Sequence, residues 1–536
     1  MLTPQRSQDL FSPLFDNLLR GLQIVFTSLQ FGRQPMVVKT QDQPRQSNRT
    51  LQGLPDIRRY FRRNETPIYF ISATNFNLLG IDEWVHRFKF INYIDCFDGQ
   101  HPNVFVPPEI EHDEFESIED INNYLLEHKA VADYVRSNGP GKAIFLMFDE
   151  KTEELAQELG LEVCLPPARL RNDLDDKLIT TRVAEAAGVE CVPNVLARAG
   201  SYEELRAVSA ELGPDLVVQT AYGDSGHTTF MISTEEDWDR HAEEIVDAGE
   251  VKIMKRIKPR GTAVEACVTR HGTLVAPIMT ELVGFEELTP YKGGWCGNEI
   301  FPDPFSHEIT EQARDWTVAM GDALKEKGYH GYFELDFLID EDTGKLYLGE
   351  MNPRITGASS ITNHAAFALS DMPLILFHLL EWMDIDYEID TDALNKRWTE
   401  PDNIDNWSQL VIKHTEDSVD VITQAPPTGI WCMDGQGEIS FSRYDTHRYH
   451  VETEYEALFI RIAGAGSYWY KGADLGILVS RGRMMTDDFE LTERARAWIR
   501  GIKSHFHAAS PDDANVAHLA PGALRANPAP GSFKLL

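Results

Sequence analysis

Short apolar runs of strand length alternate with a helical pattern in the first part of the chain. PIYFISA at 67–73, FKFINYIDCF at 88–97 and KAIFLMFD at 142–149 are such runs, and residues 118–137 between the last two have helical spacing. This alternation predicts a compact α/β layer on a parallel sheet, spanning 65–165. Two further helical patterns occupy 152–188, and the second, LITTRVAEAAGV, ends at Gly188 as a helix C-terminus should. A small domain is expected at about 190–257, followed by more strands and a helix at 374–382, all within a domain of 166–385. The composition shift at 384–405 (DIDYEIDTDALNKRWTEPDNID) reads as a linker. Residues 400–507 alternate strands again and close on a helix in LTERARAWIRGIKSHF. Residues 1–64 read as a helical, then polar and basic extension (RRYFRRN), and the Ala-, Pro- and Gly-rich tail 508–536 as disordered.

Within this pattern, GYFELDFLIDEDTGKLYLGEMNPR at 331–354 is a hairpin with acids at one end and an apolar ladder behind them. A turn centred on Thr343 sets Asp336 opposite Glu350, Glu334 opposite Asn352 and Leu338 opposite Leu348, because side chains alternate along a strand and opposed pairs sit about 5 Å apart. Oxygen ligands gathered in this way suit a hard cation, and Mg²⁺ takes a few carboxylates together with nucleotide phosphates. Arg354 adds a planar fork suited to a phosphate or an acyl phosphate. The competing reading puts Glu334 and Asp336 on the solvated face of an edge strand. Tyr332, Phe333, Phe337 and the run Leu346, Tyr347, Leu348 argue for burial instead.

The length of 536 residues suggests about three domains. With 85 acidic against 50 basic residues, the net charge of −35 excludes unassisted binding to nucleic acid or an anionic membrane, and an anionic nucleotide must meet a local basic patch. The six cysteines lack CxxC or His-rich spacing, so neither a disulfide framework nor a zinc site is indicated, and a reducing cytoplasm is expected. No apolar run reaches the roughly 18 residues of a membrane span. Residues 11–31 are interrupted by Asp16 and Arg20 and read as an amphipathic helix.

Basic and glycine-rich candidates for that patch lie upstream of the hairpin. Asp176-Lys177 opens a helix, where a lysine adds charge to N–H groups that favour phosphate. The stretch LVVQTAYGDSGHTTFMI carries small residues (Gly223, Ser225, Gly226, His227, Thr228) between two apolar strands; such a loop can approach phosphate closely, and it would also serve as a plain hairpin turn. VKIMKRIKPRGTAVEACV supplies Lys252, Lys255, Arg256 and Lys258, then Glu265 on the next strand. A basic solvated edge is the alternative there.

The hairpin resembles the metal-binding hairpin of ATP-grasp enzymes, in which an acid on one strand precedes an E-x-N-x-R motif on the next, here Asp336, then Glu350, Asn352 and Arg354. The resemblance covers roughly 145–382. It implies an ATP-grasp fold with a preceding parallel-sheet domain and a C-terminal mixed α/β domain. It further implies ATP with Mg²⁺, or Mn²⁺ in its place, held by Asp336, Glu350 and Asn352, with Arg354 and Asn352 at the reacting phosphate. Lys177 would contact ATP phosphates, and Gly223 to Thr229 would form the glycine-rich lid. Lys255 and Ile257 would stand beside adenine, with Glu265 toward the ribose or the metal.

One departure stands out. Many members have a phosphate-binding lysine where this chain has Gln219, so Gln219 would meet the nucleotide without charge, compensated by His227 or Lys255.

The implied reaction joins a carboxylate of an amino acid or small peptide to an amine through an acyl phosphate. E-M-N-P-R followed by small polar residues is more similar to amino-acid ligases and carbamoyl phosphate synthetase than to biotin carboxylase, which has Q-V-E-H after the arginine. Acceptor candidates are the loops 291–299 and 356–360. Partners would be small-molecule carboxylates and amines, with a homodimer as one assembly. A bicarbonate-activating carboxylase and a nucleotide-binding regulatory protein without catalysis are the competing readings.

Overall fold

Residues 50–113, 115–223 and 228–511 are described by the computed structural model. The readings for residues 1–49 and 512–536, and those for Ser225, Gly226 and His227, lie outside the described residues.

The apolar runs near the start form a five-stranded parallel sheet in the order Val104–Phe105, Phe88–Asn92, Ile68–Ser72, Gly141–Phe145, Leu161–Val163. Ile68–Ser72 is buried along its whole length, as a central parallel strand covered on both faces must be. The helical stretch 118–137 is two helices, Ile118–Glu127 and Lys129–Asn138. It breaks at His128, whose extended backbone ends the first helix and whose ring nitrogen accepts the Ala130 N–H to start the second.

Two expected linkers are structured and touch each other. Residues 50–64 carry the helix Gly53–Arg62, which buries Ile57 and Phe61, and the short strand Leu51–Gln52, which pairs in parallel with Tyr387–Glu388. The acidic stretch 384–405 contains that partner strand and the helix Thr391–Trp398, capped by Asp390 and burying Leu394, Asn395 and Trp398. Trp398 is wholly buried, donates to Asp371 Oδ2 at 2.7 Å and packs on Phe367 and Phe377. Trp398→Ala is therefore expected to cost about 3–5 kcal/mol, read as a lower urea midpoint. A true linker would show no change.

The large sheet holds the site. Its strands run in the order Leu346–Asn352, Gly331–Asp340, Pro259–Thr269, Met279–Val283, Trp295–Ile300, Trp407–Lys413, Asp474–Arg481, Glu456–Arg461, Gly429–Met433, Ile439–Arg443. The expected break near 385–400 is thus no break in the sheet, because Trp295–Ile300 pairs directly with Trp407–Lys413. The C-terminal strands extend the same sheet, and the helix Glu493–Ser504 covers them with Trp498, Ile499 and Ile502.

A separate antiparallel sheet of four strands, Asn194–Ala197, Val251–Lys255, Leu216–Gln219 and Thr229–Ile232, has its own small core around Val218, Phe230 and Ile253. Among the described residues no helix is long and apolar enough to cross a membrane.

Candidate active site

The hairpin register is the foundation of the site. Glu334 pairs with Asn352 and Asp336 with Glu350, and the ladder then shifts by one residue, so that Phe337 faces Leu348 and Leu338 faces Tyr347. The expected Leu338–Leu348 pair is therefore corrected. Gly349 is the extra residue of the bulge, and a Cβ there would lie 3.0 Å from the Leu338 side chain and 3.1 Å from the Asp336 carbonyl. The bulge lies on the turn side of the acids, which keeps their register intact.

Asn352 ties the acids together. Its Nδ2 donates to Glu334 Oε2 and to Asp336 Oδ2, both at 3.1 Å, while its Oδ1 accepts Arg354 Nη2 at 2.9 Å. A donor on one side and two acceptors on the other fix the amide's orientation. Arg354 Nε is buried without a partner.

Burial pushes the Asp336 carboxyl well above the usual range, and Glu334, Glu281 and Glu350 push it further; burial, Glu265 and Glu281 do the same to Glu334. Crowded carboxylates of this kind are a donor set whose repulsion a divalent cation relieves. Among the described residues no three His, Cys, Asp or Glu side chains form a closed cage, so such an ion would draw part of its shell from elsewhere.

Lys177 reaches this wall from outside the sheet. It opens the helix Lys177–Ala186 and is 8% exposed. Its Nζ donates to Glu350 Oε1 at 2.8 Å and to the Gly223 carbonyl at 2.9 Å. Asp176, the N-cap, accepts from the N–H groups of Leu178 and Ile179, so the helix start offers its lysine rather than free backbone donors. Gly223 has φ +148°, and a Cβ there would collide with Thr228 at 1.8 Å, so position 223 requires glycine.

The small sheet meets the hairpin through apolar side chains. Val192, Val217, Met254 and Ile257 cluster with Leu338 and Tyr347. Ile257 thus stands where a flat apolar base could lie. Gln219 is half-buried and donates to Thr229 Oγ1 at 3.2 Å.

Lys255 is turned the other way. Alternation along Val251–Lys255 sets it on the face opposite Lys252 and Met254, it is exposed, and its N–H is committed to the Pro193 carbonyl at 2.9 Å. The lysine that sequence reasoning passed over is Lys252, buried at 2% exposure and opposite Gln219 in the ladder.

Glu265 pairs across the ladder with Glu334, and its carboxylate is engaged within the protein. Wholly buried, it accepts from Tyr332 Oη, Thr356 Oγ1 and Ser359 Oγ, pinning the loop after Arg354 to the sheet. The Thr356 and Ser359 hydroxyls of that loop are therefore engaged by Glu265.

The other acceptor candidate lies on one band of the sheet. Glu281 pairs with Asn298, and Asn298 with Gln409. Glu281 reaches over Gly261, where a Cβ would meet its Oε2 at 2.5 Å, and its carboxyl is pushed up to about 7 by burial and then by Glu350. Asn298 and Gln409 are wholly buried, yet Asn298 Nδ2 and Gln409 Oε1 have no partner. Glu281 was missed by sequence reasoning. Its only signal was an acid on an otherwise apolar strand.

A small antiparallel sheet set against an acid-bearing hairpin, beside a parallel-sheet domain, is the class of fold called ATP-grasp. The biotin carboxylase domain of 2-oxoglutarate carboxylase from Hydrogenobacter thermophilus, crystallised as a dimer with MgADP, ADP and bicarbonate, matches with a TM-score of 0.56 at 14% identity, over 83% of this chain and 91% of that one.

No protein-family model matches the chain. In sequence, the alpha subunit of mitochondrial methylcrotonoyl-CoA carboxylase from Arabidopsis thaliana is 21% identical over 41% of this chain and 30% of that protein. The D-alanine–D-alanine ligase of Desulforudis audaxviator is 22% identical over 38% of this chain and 67% of that protein. The chain spans less than half the length of the carboxylases it matches.

Proposed function

We propose that the protein is an ATP-dependent ligase that joins the carboxylate of an amino acid or small peptide to an amine. The observation that carries this reading is the ion pair of Lys177 with Glu350 on a wall where Glu350 opposes Asp336 and Asn352 bridges Asp336 to Glu334. Asp336, Glu350 and Asn352 would hold Mg²⁺, with Mn²⁺ as its substitute. Held there, the ion would supply neutralisation of phosphate charge.

The chain's own groups do the rest. The apolar cluster of Val192, Val217, Met254, Ile257, Leu338 and Tyr347 receives the base. Lys177 positions the phosphates, and Arg354, with its free buried Nε, holds the phosphoryl group in transfer. A substrate carboxylate oxygen attacks the γ-phosphorus, the bond to the β-γ bridging oxygen breaks, and ADP leaves with the acyl phosphate behind. The amine then attacks the acyl carbon, inorganic phosphate departs and the amine loses a proton. The acyl phosphate hydrolyses in water, so the small sheet must cover it during transfer.

The band of Glu281, Asn298 and Gln409 is the acceptor side, where an unpaired donor and an unpaired acceptor suit a zwitterionic amino acid. The dimer of the 2-oxoglutarate carboxylase domain favours self-association here as well.

The carboxylases among the relatives favour one competing reading, in which bicarbonate is the acid. Release of ADP and phosphate across a panel of amino acids taken in pairs, with mass spectrometry of the products, is the test. Product gain equal to condensation of two panel members supports the ligase. ADP release that requires bicarbonate alone would replace it with the carboxylase, and no release across the panel would overturn both.

A further inference from the structure

Lys252 sits in the middle of the small sheet, paired across the ladder with Leu196 on one side and with Gln219 on the other. It is 2% exposed, and its ammonium makes no hydrogen bond or ion pair with a side chain among the described residues. Its burial lowers the ammonium's pKa, with Cys191, Glu350 and Lys177 as the charged or titratable groups nearest in effect, followed by Glu185. A buried ammonium without an anion is unfavourable, and the nearest strong acid, Glu350, is already paired with Lys177.

Position says which anion completes it. Two residues along the same face, Met254 belongs to the apolar cluster that includes Ile257 and Tyr347. The charges of Glu350 and Lys177 at the hairpin wall also act on Lys252. A ligand with a flat apolar end in the cluster and a metal-bound end at Glu350 must pass Lys252 between them. A nucleoside di- or triphosphate has that shape, and its α- and β-phosphates fall at the middle.

Gln219 then makes physical sense. A second lysine directly opposite would set two lysine side chains on one face with their Cβ atoms about 5 Å apart, and like charges so placed repel. The neutral amide instead hydrogen-bonds Thr229 and leaves the charge to its neighbour.

We propose that Lys252 is the ammonium that holds the α/β-phosphates of the nucleotide, its charge carried on the strand opposite the neutral Gln219. This inference rests on the nucleotide reading of the site given above.

The test is calorimetric binding of MgADP and of adenosine to the full chain and to Lys252→Met, Gln219→Lys and the double variant Gln219→Lys/Lys252→Met. Methionine keeps the length and apolar stem, so the fold should persist. Lys252→Met is expected to weaken MgADP by about 10- to 100-fold while leaving adenosine unchanged, because only a phosphate contact is lost. The double variant should recover much of that loss, since the charge returns from across the rung. Unchanged MgADP affinity in Lys252→Met overturns the inference, and so does an equal loss for adenosine, which marks a structural role. Failure of the unaltered chain to bind MgADP overturns the nucleotide reading itself, a result no Lys252 variant can mimic.

Discussion

Asp336→Asn and Glu350→Gln are each expected to reduce ATP-dependent ADP release by at least about 10³-fold without unfolding the protein. Each exchange preserves shape and removes one acid from the wall proposed to hold a cation against phosphates. The fold should persist while turnover is lost. Asp336 is pushed toward protonation by burial and by three neighbouring acids, so its charge is a liability to the folded state, and Asn at this position should leave stability equal or raise it by about 1 kcal/mol.

Glu350 is partly open to solvent, but Gln there leaves the buried Lys177 with only the Gly223 carbonyl and a neutral amide, so a loss of about 1–2 kcal/mol is expected, small enough to leave the protein folded. Steady-state ADP release and urea denaturation of the same preparations check both arms. Wild-type turnover in either variant removes the metal assignment. Loss of fold together with loss of turnover would recast these acids as structural.

The acid register was legible in the sequence because opposed residues across a hairpin sum to a constant, and the bulge at Gly349 falls beyond the acids. The bulge itself was not legible, since a glycine near a turn serves several geometries equally well. Lys252 and Lys255 show the limit of period-two reasoning. Alternation states that the two lysines face opposite ways, but only the packing of Ile253 into the small core and of Met254 toward the hairpin says which face is which.

The helix Thr391–Trp398 was hidden by its acidic flanks, because burial there rests on two large side chains, Leu394 and Trp398, rather than on a sustained stripe. The continuity of the large sheet past residue 400 was beyond any local signal, since the pairing of Asn298 with Gln409 joins strands over a hundred residues apart. The ladder of acids was visible as composition. Which acid holds the fold and which meets the ligand was not.

Glu265 supplies that distinction, and Glu265→Ala is expected to cost about 3–5 kcal/mol of stability, the opposite signature to Glu350→Gln. The Glu265 carboxylate is wholly buried and accepts from three hydroxyls, those of Tyr332, Thr356 and Ser359. Burial raises its pKa and the hydroxyl donors offset that only in part, so the carboxyl is pushed above the usual range while its oxygens still accept from the hydroxyls.

Alanine would leave three buried hydroxyls without an acceptor and release the segment that follows Arg354. Glutamine keeps the shape but points an N–H₂ at groups that themselves donate, so it should restore only part of the loss. Urea midpoints of the two variants measure this order. Because Thr356 and Ser359 also fix the backbone behind Arg354, the folded fraction of Glu265→Ala should turn over more slowly than wild type, while Glu350→Gln fails with its fold whole. Equal stability of Glu265→Ala and wild type would mean that the three hydroxyls find other partners, and the buried carboxylate would then have to be explained by a ligand.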